Sequence, residues 1–269
     1  MEYQAKDEVA FDNVIELKGI SQSYDGGQSW VIQDANFIVE DKPGQGQFIA
    51  VLGMSGSGKS TILRYIAGLQ EPTKGEIFLK GKKRTPEDRI SMVFQQYSSL
   101  PWMTVLDNVG LALRYAGISK KDRDEQAMQI IKEVGLEGHE KKYAMYPTLS
   151  GGQLQRVAIA RSLLGNSEIL LMDEPFGALD IKTRLQMQDL LAGLWEKFQS
   201  TIVFVTHDIS EAVYLADEIM ILKSPPSRFV ERIKIDLPLN RSRGIKREPR
   251  YTELVHHVED TMIKVAEMG

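Results

Sequence analysis

Phe48-Ile49-Ala50-Val51-Leu52-Gly53-Met54-Ser55-Gly56-Ser57-Gly58-Lys59-Ser60-Thr61 is the stretch that decides the fold. Its first five residues are apolar and do not alternate. A run that short predicts a strand covered on both faces, as in parallel sheets, rather than a buried helix. The next eight fit G-x-x-x-x-G-K-[ST], and a helix is expected from Lys59 to residue 68. Strand, glycine loop and helix in that order make a phosphate cradle. The glycines let backbone N–H groups turn inward around a polyphosphate. The helix start adds unpaired donors and the positive end of the helix dipole. Lys59 places a point charge on the outer phosphates. The Ser60 hydroxyl suits Mg²⁺, which takes oxygen ligands shared with substrate phosphates. A Gly/Ser loop that merely contains a lysine is the bland alternative, and the flanking strand and helix argue against it.

Outward from this loop, three more apolar runs read as buried strands: Ile169–Met172, Ile202–Val205 and Ile219–Leu222. Helical segments are expected at 59–68, 151–164, 182–198 and 208–216, so strands and helices alternate in an α/β fold. The front of the chain differs. Val14–Ile20 and Trp30–Val39 read as strands joined by the turn-rich Tyr24-Asp25-Gly26-Gly27-Gln28. Residues 104–145 read as a helical insertion: one helix begins with Val105, Leu106, Val109, Leu111 and Leu113, and a charged one covers 119–134. From Ser224 the chain is rich in Pro and basic residues, then ends in an amphipathic helix near 251–266. Between Lys223 and Arg250, nine Lys or Arg face three acids. That stretch could meet anionic lipid, but a solvated linker is the expected reading of a charge run.

Two further strand ends carry chemistry. Asp173-Glu174 follow the run Ile169–Met172, at the sheet edge where open α/β folds bind ligands. Asp173 is placed to hold Mg²⁺ and Glu174 to polarise an attacking water, a contribution of about 10²–10⁴ in rate. Without the phosphate loop, a solvated strand end would be the better reading. Thr206-His207-Asp208 follow Ile202–Val205. Asp208 and Glu211 form an N-cap pair that fixes the backbone around His207, whose ring can position water and the γ-phosphate. Leu149-Ser150-Gly151-Gly152-Gln153 opens another helix, with Ser150 and Gln153 as an S-x-x-Q capping box. Two glycines in a first turn cost about 1 kcal/mol each relative to alanine, so something is expected to approach the backbone closely. A γ-phosphate would suit that helix start, yet the first loop already cradles one. A dimer, with each nucleotide between one chain's loop and the other's Ser150 helix, resolves the duplication.

The composition sets the outer limits. The 269 residues are 42% hydrophobic and 26% charged, ordinary for a globular chain. A formal net charge of −4 argues against a nucleic-acid partner. The absence of cysteine excludes a disulfide framework, a thiol nucleophile and cysteine-ligated metal. No apolar run is long enough to span a bilayer, and Met1–Glu8 is polar, so a cytoplasmic chain is expected.

Taken together, the motifs resemble those of the ATP-binding subunit of an ABC transporter. The matching residues are Gly53 to Thr61 (Walker A), Gln95 in Val93-Phe94-Gln95 (Q-loop) and Leu149 to Gln153 (signature). Asp173-Glu174 (Walker B and catalytic acid), Ala178-Leu179-Asp180 (D-loop) and His207 (switch histidine) complete the set. The similarity runs from about residue 14 to 240. Ser99-Leu100-Pro101-Trp102-Met103-Thr104-Val105-Leu106-Asp107-Asn108-Val109 is similar to the ATPases of nitrate, alkanesulfonate, taurine and bicarbonate importers. The sequence departs from the family in front: the turns at 25–30 and 41–47 are longer than usual. That leaves Tyr24 as the first candidate to stack on adenine and Trp30 as its competitor.

The resemblance implies a P-loop NTPase (RecA-like) α/β core with an N-terminal antiparallel β subdomain and an α-helical insertion. The whole chain would be one domain, with its core at 1–97 and 150–240, a helical subdomain at 98–149 and a short tail at 241–269. It implies ATP and Mg²⁺ as cofactors. Gly53, Met54, Ser55, Gly56, Ser57, Gly58, Lys59, Ser60 and Thr61 would bind the nucleotide, and Ser60, Gln95 and Asp173 would surround the metal. Glu174, His207 and Gln95 would serve hydrolysis, while Ser150, Gly152, Gln153 and Asp180 would act across a dimer. The implied partners are a second ATPase subunit (a copy or a paralogue), two transmembrane permease subunits and, indirectly, a solute-binding protein, at the cytoplasmic face of the membrane. Two other classes stay open here: a soluble ABC ATPase outside transport, and a phosphotransferase that uses the phosphate loop.

Overall fold

The computed structural model describes residues 13–267 except 43, 86, 89, 97, 166 and 167. The polar N-terminal stretch and Pro43 of the second long turn lie outside the described residues.

A six-stranded sheet forms the centre. In spatial order it holds β10 (Arg228–Lys234), β9 (Glu218–Lys223), β3 (Phe48–Gly53), β8 (Thr201–Val205), β7 (Ile169–Asp173) and β6 (Ser91–Val93). The inner pairs are parallel and β10 is antiparallel to β9. Side chains alternate across a strand, and β3 uses both faces. Phe48, Ala50 and Leu52 join one core cluster, while Ile49 and Val51 join the other. This double burial is why the run reads as continuously apolar. A second, antiparallel sheet, β2-β1-β4-β5, comprises β1 (Asn13–Gln22), β2 (Ile32–Glu40), β4 (Lys74–Leu79) and β5 (Lys82–Lys83). With α1 (Lys59–Ile66) it covers the Ile49/Val51 face. On the other face lie α5 (Gly151–Leu164), α6 (Ile181–Phe198), α7 (Ile209–Leu215) and α8 (Pro249–Glu267).

The expected helical insertion is present and starts at Val105 as expected, but its first helix is broken. Residues 105–115 form two one-turn helices, α2 (Val105–Val109) and α3 (Leu111–Tyr115), which meet at Gly110. A Cβ on Gly110 would lie 2.9 Å from Arg123 of α4 (Lys120–Glu133), so the chain bends where α4 crosses it. Asn108 is fully buried. Its amide donates to the carbonyls of Leu100, Met103 and Thr104 and accepts from the Leu100 N–H. Both the donor and the acceptor end of its amide are thus engaged, which pins the Pro101–Thr104 turn.

The basic stretch after Ser224 is not a solvated linker. Arg228–Lys234 form the edge strand β10, in which four of seven residues are charged and only Ile233 is buried, which disguises it in the sequence. Arg241 is buried: it donates to the carbonyls of Tyr214 and Ala216 and pairs with Asp217 at 3.2 Å. Asp217 in turn accepts from the Phe48 N–H at the start of β3. Arg243 pairs with Asp189, and Arg250 with Asp236 at 2.8 Å. Truncating one member of a buried pair such as Arg241–Asp217 costs about 3–5 kcal/mol. The tail is therefore fastened to the central strand.

Candidate nucleotide site

The loop between β3 and α1 is shaped by three glycines, each for its own reason. A Cβ on Gly53 would fall 2.6 Å from the Leu222 carbonyl oxygen and 2.7 Å from Ser57 Oγ. Gly56 and Gly58 hold φ of 79° and 81°, the left-handed region that glycine enters freely. Gly58 is the N-cap of α1 and offers no side-chain bond, and the first turn holds no acid. The leading N–H groups therefore have no side-chain cap. Lys59 Nζ donates to the carbonyls of Gly53 and Met54, both at 2.9 Å, which holds the ammonium across the loop. Burial pulls its pKa down, opposed by the charges of Glu174 and Asp173.

The ends of β7 and β8 meet this loop. Ser60 Oγ donates to Asp173 Oδ1 at 2.8 Å. Burial pushes the Asp173 carboxyl above its ordinary pKa, and the Ser60 bond works against that shift. Glu174 follows with φ of 43°, an unusual conformation for a non-glycine residue. The Glu174 N–H is fixed to the Val205 carbonyl of β8 at 3.0 Å. This turn brings Glu174 Oε2 to 3.1 Å from His207 Nδ1. Gln95 lies just past β6 at the same edge. A Cβ on Gly177 would sit 3.4 Å from Gln95 Nε2 and 3.8 Å from Glu174 Oε2. The ends of four adjacent parallel strands thus gather Lys59, Ser60, Asp173, Glu174, His207 and Gln95. Ser60 and Asp173 offer hard oxygen donors of the kind Mg²⁺ takes from protein beside phosphates, so the residues fit that ion.

The Ser150 helix start is a different kind of place. Ser150 Oγ accepts from the Gln153 N–H at 3.3 Å, and Gln153 Oε1 accepts from the Ser150 N–H at 2.9 Å, completing the expected capping box. Gln153 Nε2 lies 2.9 Å from His139 Nε2, so both ends of its amide are engaged within the chain. The close approach expected at Gly152 is made by the protein itself: a Cβ there would lie 2.5 Å from Thr183 Cγ2 of α6. Asp180 caps α6 by accepting the Thr183 N–H at 3.1 Å, and bonds from Thr183 hold its carboxyl below the ordinary range. The signature helix and the D-loop therefore meet at Thr183, a residue the sequence did not single out. Nothing near His139 in the sequence marks it either.

Tyr24 and Trp30 have different surroundings. Lys74 Nζ lies 4.9 Å over the Trp30 ring, while Tyr24 is 69% exposed and its hydroxyl accepts from Gln70 at 3.4 Å. The turn between them is tied by Asp25, which accepts from Ser23 Oγ and from the Ser29 N–H and hydroxyl.

A phosphate loop that shares its sheet edge with an aspartate, a glutamate and a histidine defines a nucleoside-triphosphatase of the P-loop class. Comparison with known proteins narrows this. The ABC transporter family profile matches residues 34–177. The taurine import ATP-binding protein TauB of Escherichia coli K12 is 45% identical over 250 residues, covering 89% of this chain and 94% of its own. The nitrate import ATP-binding protein NrtD of a Synechocystis strain is 42% identical over 246 residues, covering 88% and 90%. The solved dimeric structure of the bacterial ABC transporter cassette MJ0796 is 34% identical with a TM-score of 0.70, covering 83% of this chain and all of its own. A second structure of that cassette is a post-hydrolysis state bound to ADP and phosphate. The chain belongs to the ABC transporter family, as an ATP-binding, ATP-hydrolysing cassette. No helix among the described residues is long and apolar enough to cross a membrane.

Proposed function

We propose that this cassette drives a membrane importer of a small oxyanionic solute of the nitrate, sulfonate, taurine or bicarbonate kind. The relatives that support this reading include taurine and nitrate import subunits. In this reading two cassettes close head to tail over two ATP molecules, docked on two permease subunits at the cytoplasmic face and served indirectly by a solute-binding protein.

The observation that carries the catalytic part is the pair of contacts at one sheet edge, Ser60–Asp173 at 2.8 Å and Glu174–His207 at 3.1 Å. Lys59 and the glycine loop bind and orient the phosphates. Ser60 and Asp173, with Gln95 beside them, would hold Mg²⁺, which when bound neutralises phosphate charge. Glu174 orients and polarises the water, and His207 holds the Glu174 carboxylate in place. Tyr24 offers its open ring to adenine. Ser150, Gly152, Gln153 and Asp180 belong to the surface presented to the partner cassette's nucleotide. ATP bridges the two surfaces, and its hydrolysis removes the bridge.

Light scattering on the Glu174→Gln protein tests the shared site. A shift from monomer to dimer with ATP and Mg²⁺, lost on adding Ser150→Arg, is the expected result. A mass that ignores ATP while ATP still binds would overturn the pairing of two copies. Uptake of labelled taurine, nitrate and bicarbonate into vesicles carrying the whole transporter tests the solute class.

A further inference from the structure

A buried chain of hydrogen bonds leads from the C-terminal segment to the histidine loop. It starts at Lys246, in the 3₁₀ turn Arg243–Arg247, whose Nζ donates to Gln188 Oε1 of α6 at 2.7 Å. Gln188 Nε2 donates to Glu211 Oε1 of α7 at 3.1 Å. Glu211 Oε2 accepts from Thr206 Oγ1 at 2.8 Å, and Thr206 Oγ1 accepts from the Asp208 N–H at 3.0 Å. Thr206 and Asp208 are the two neighbours of His207. Gln188, Glu211 and Thr206 are each at most 4% exposed.

Donor chemistry gives this chain a direction. An ammonium only donates, so the Gln188 atom that faces Lys246 must be its oxygen, and its NH₂ must face Glu211. The Glu211 carboxylate only accepts, so the Thr206 hydroxyl must point its proton at it. The lone pairs of that hydroxyl are then left for the Asp208 N–H. Remove the ammonium and Gln188 Oε1 loses its donor, so the amide is held only from the Glu211 side and the link to the tail is cut. Burial raises the Glu211 pKa, with Asp208 adding to the rise and Arg184 opposing it. Arg184 approaches Glu211 at 3.9 Å and Asp208 at 3.8 Å without replacing any link. The Lys246 ammonium also lies 4.1 Å over the Tyr214 ring, which fixes where it points.

We infer that Lys246 is a positioning residue for ATP hydrolysis, acting through Gln188, Glu211 and Thr206 to hold the loop that carries His207. The inference rests on the proposed role of His207 beside Glu174.

Steady-state hydrolysis by the full chain, at saturating and limiting ATP with Mg²⁺, tests it. Lys246→Met is expected to lower kcat about five- to tenfold with KM for ATP unchanged, because the phosphate loop is untouched. Lys246→Arg, which keeps a pure donor, is expected to restore kcat. In a Thr206→Val background, Lys246→Met is expected to have no further effect, since the last link is already cut. Gln188→Glu breaks the chain at its middle without a cavity and covers the case in which Lys246→Met fails to fold. The ¹⁵N signal of the His207 ring is expected to move with Lys246→Met and to return with Lys246→Arg. Wild-type kcat and an unmoved His207 signal in Lys246→Met would overturn the inference, as would an equal loss in the Thr206→Val background. His207→Ala is run in parallel. If it leaves kcat intact, the role of His207 fails, while a moved ring signal would still establish the coupling. If it lowers kcat and Lys246→Met does not, the relay alone fails.

Discussion

Two helices of this chain, α1 and α5, begin in glycine-rich turns, and the two starts are built in opposite ways. The start of α1 has no side-chain cap: Gly58 contributes none, and Lys59 is anchored on loop carbonyls. The start of α5 closes on itself. Ser150 and Gln153 cap each other, His139 takes the other end of Gln153, and Thr183 packs against Gly152. Glycine serves backbone freedom in the first case and closeness to another helix in the second. A glycine-rich helix start is thus not one signal. An open start is a cradle in its own right, whereas a self-capped start presents a fixed surface for something else to meet.

Five outcomes would break or sharpen this contrast. The largest lies on the open side: Glu174→Gln is expected to lower kcat about 10²–10⁴-fold while ATP binding persists, measured by single-turnover hydrolysis and equilibrium binding. Lys59→Ala is expected to reduce kcat/KM about 10²–10³-fold by removing a charge aimed at the phosphates. On the closed side the effects are on folding. Gly152→Ala forces a methyl against Thr183 at a cost of about 1–3 kcal/mol, set against a propensity gain of about 1 kcal/mol. Thr183→Ser removes the opposing methyl and is expected to turn the same change into a stabilising one, read by urea denaturation. Ser150→Ala should cost about 1 kcal/mol as a lost cap. A Ser150→Ala protein of unchanged stability would deny that the box supports α5.

The smallest effect concerns charge stored on the open side. Burial raises the Asp173 pKa in the folded chain above its unfolded value. Relative to neutral pH, folding is therefore favoured below the unfolded carboxylate pKa, and that advantage is lost as pH rises through the folded value. Asp173→Asn is expected to raise Tm at pH 7 to 8 in EDTA, with the gain vanishing near pH 3, while hydrolysis is lost. No pH-dependent difference would mean that Asp173 bears no such burden.

The open side was legible in the sequence because its parts are contiguous. Gly53–Ser60, Asp173-Glu174 and Thr206-His207-Asp208 each directly follow an apolar strand, and parallel strands place such ends at one edge. The capping box was legible for the same local reason. What escaped depends on contacts between distant segments. Thr183, His139 and Lys246 look like ordinary surface residues until α6, the insertion and the tail are brought together. β10 looks like linker in the sequence because an edge strand can be charged at most of its positions. A close approach to Gly152 is legible in the sequence, but not that Thr183 makes it, since sequence spacing does not say which neighbour arrives.

The strand order also has a consequence for synthesis. The antiparallel sheet pairs β1 with β2, near neighbours along the chain. β3, which launches the phosphate loop, pairs with β8 and β9: Phe48 faces Ile202, and Ile49 faces Glu218. As the chain leaves the ribosome, the front hairpin can form at once. The strand behind the nucleotide cradle must wait for both neighbours to emerge much later. A nascent cassette would thus gain its grip on ATP only after most of its length, including the histidine loop, has been made.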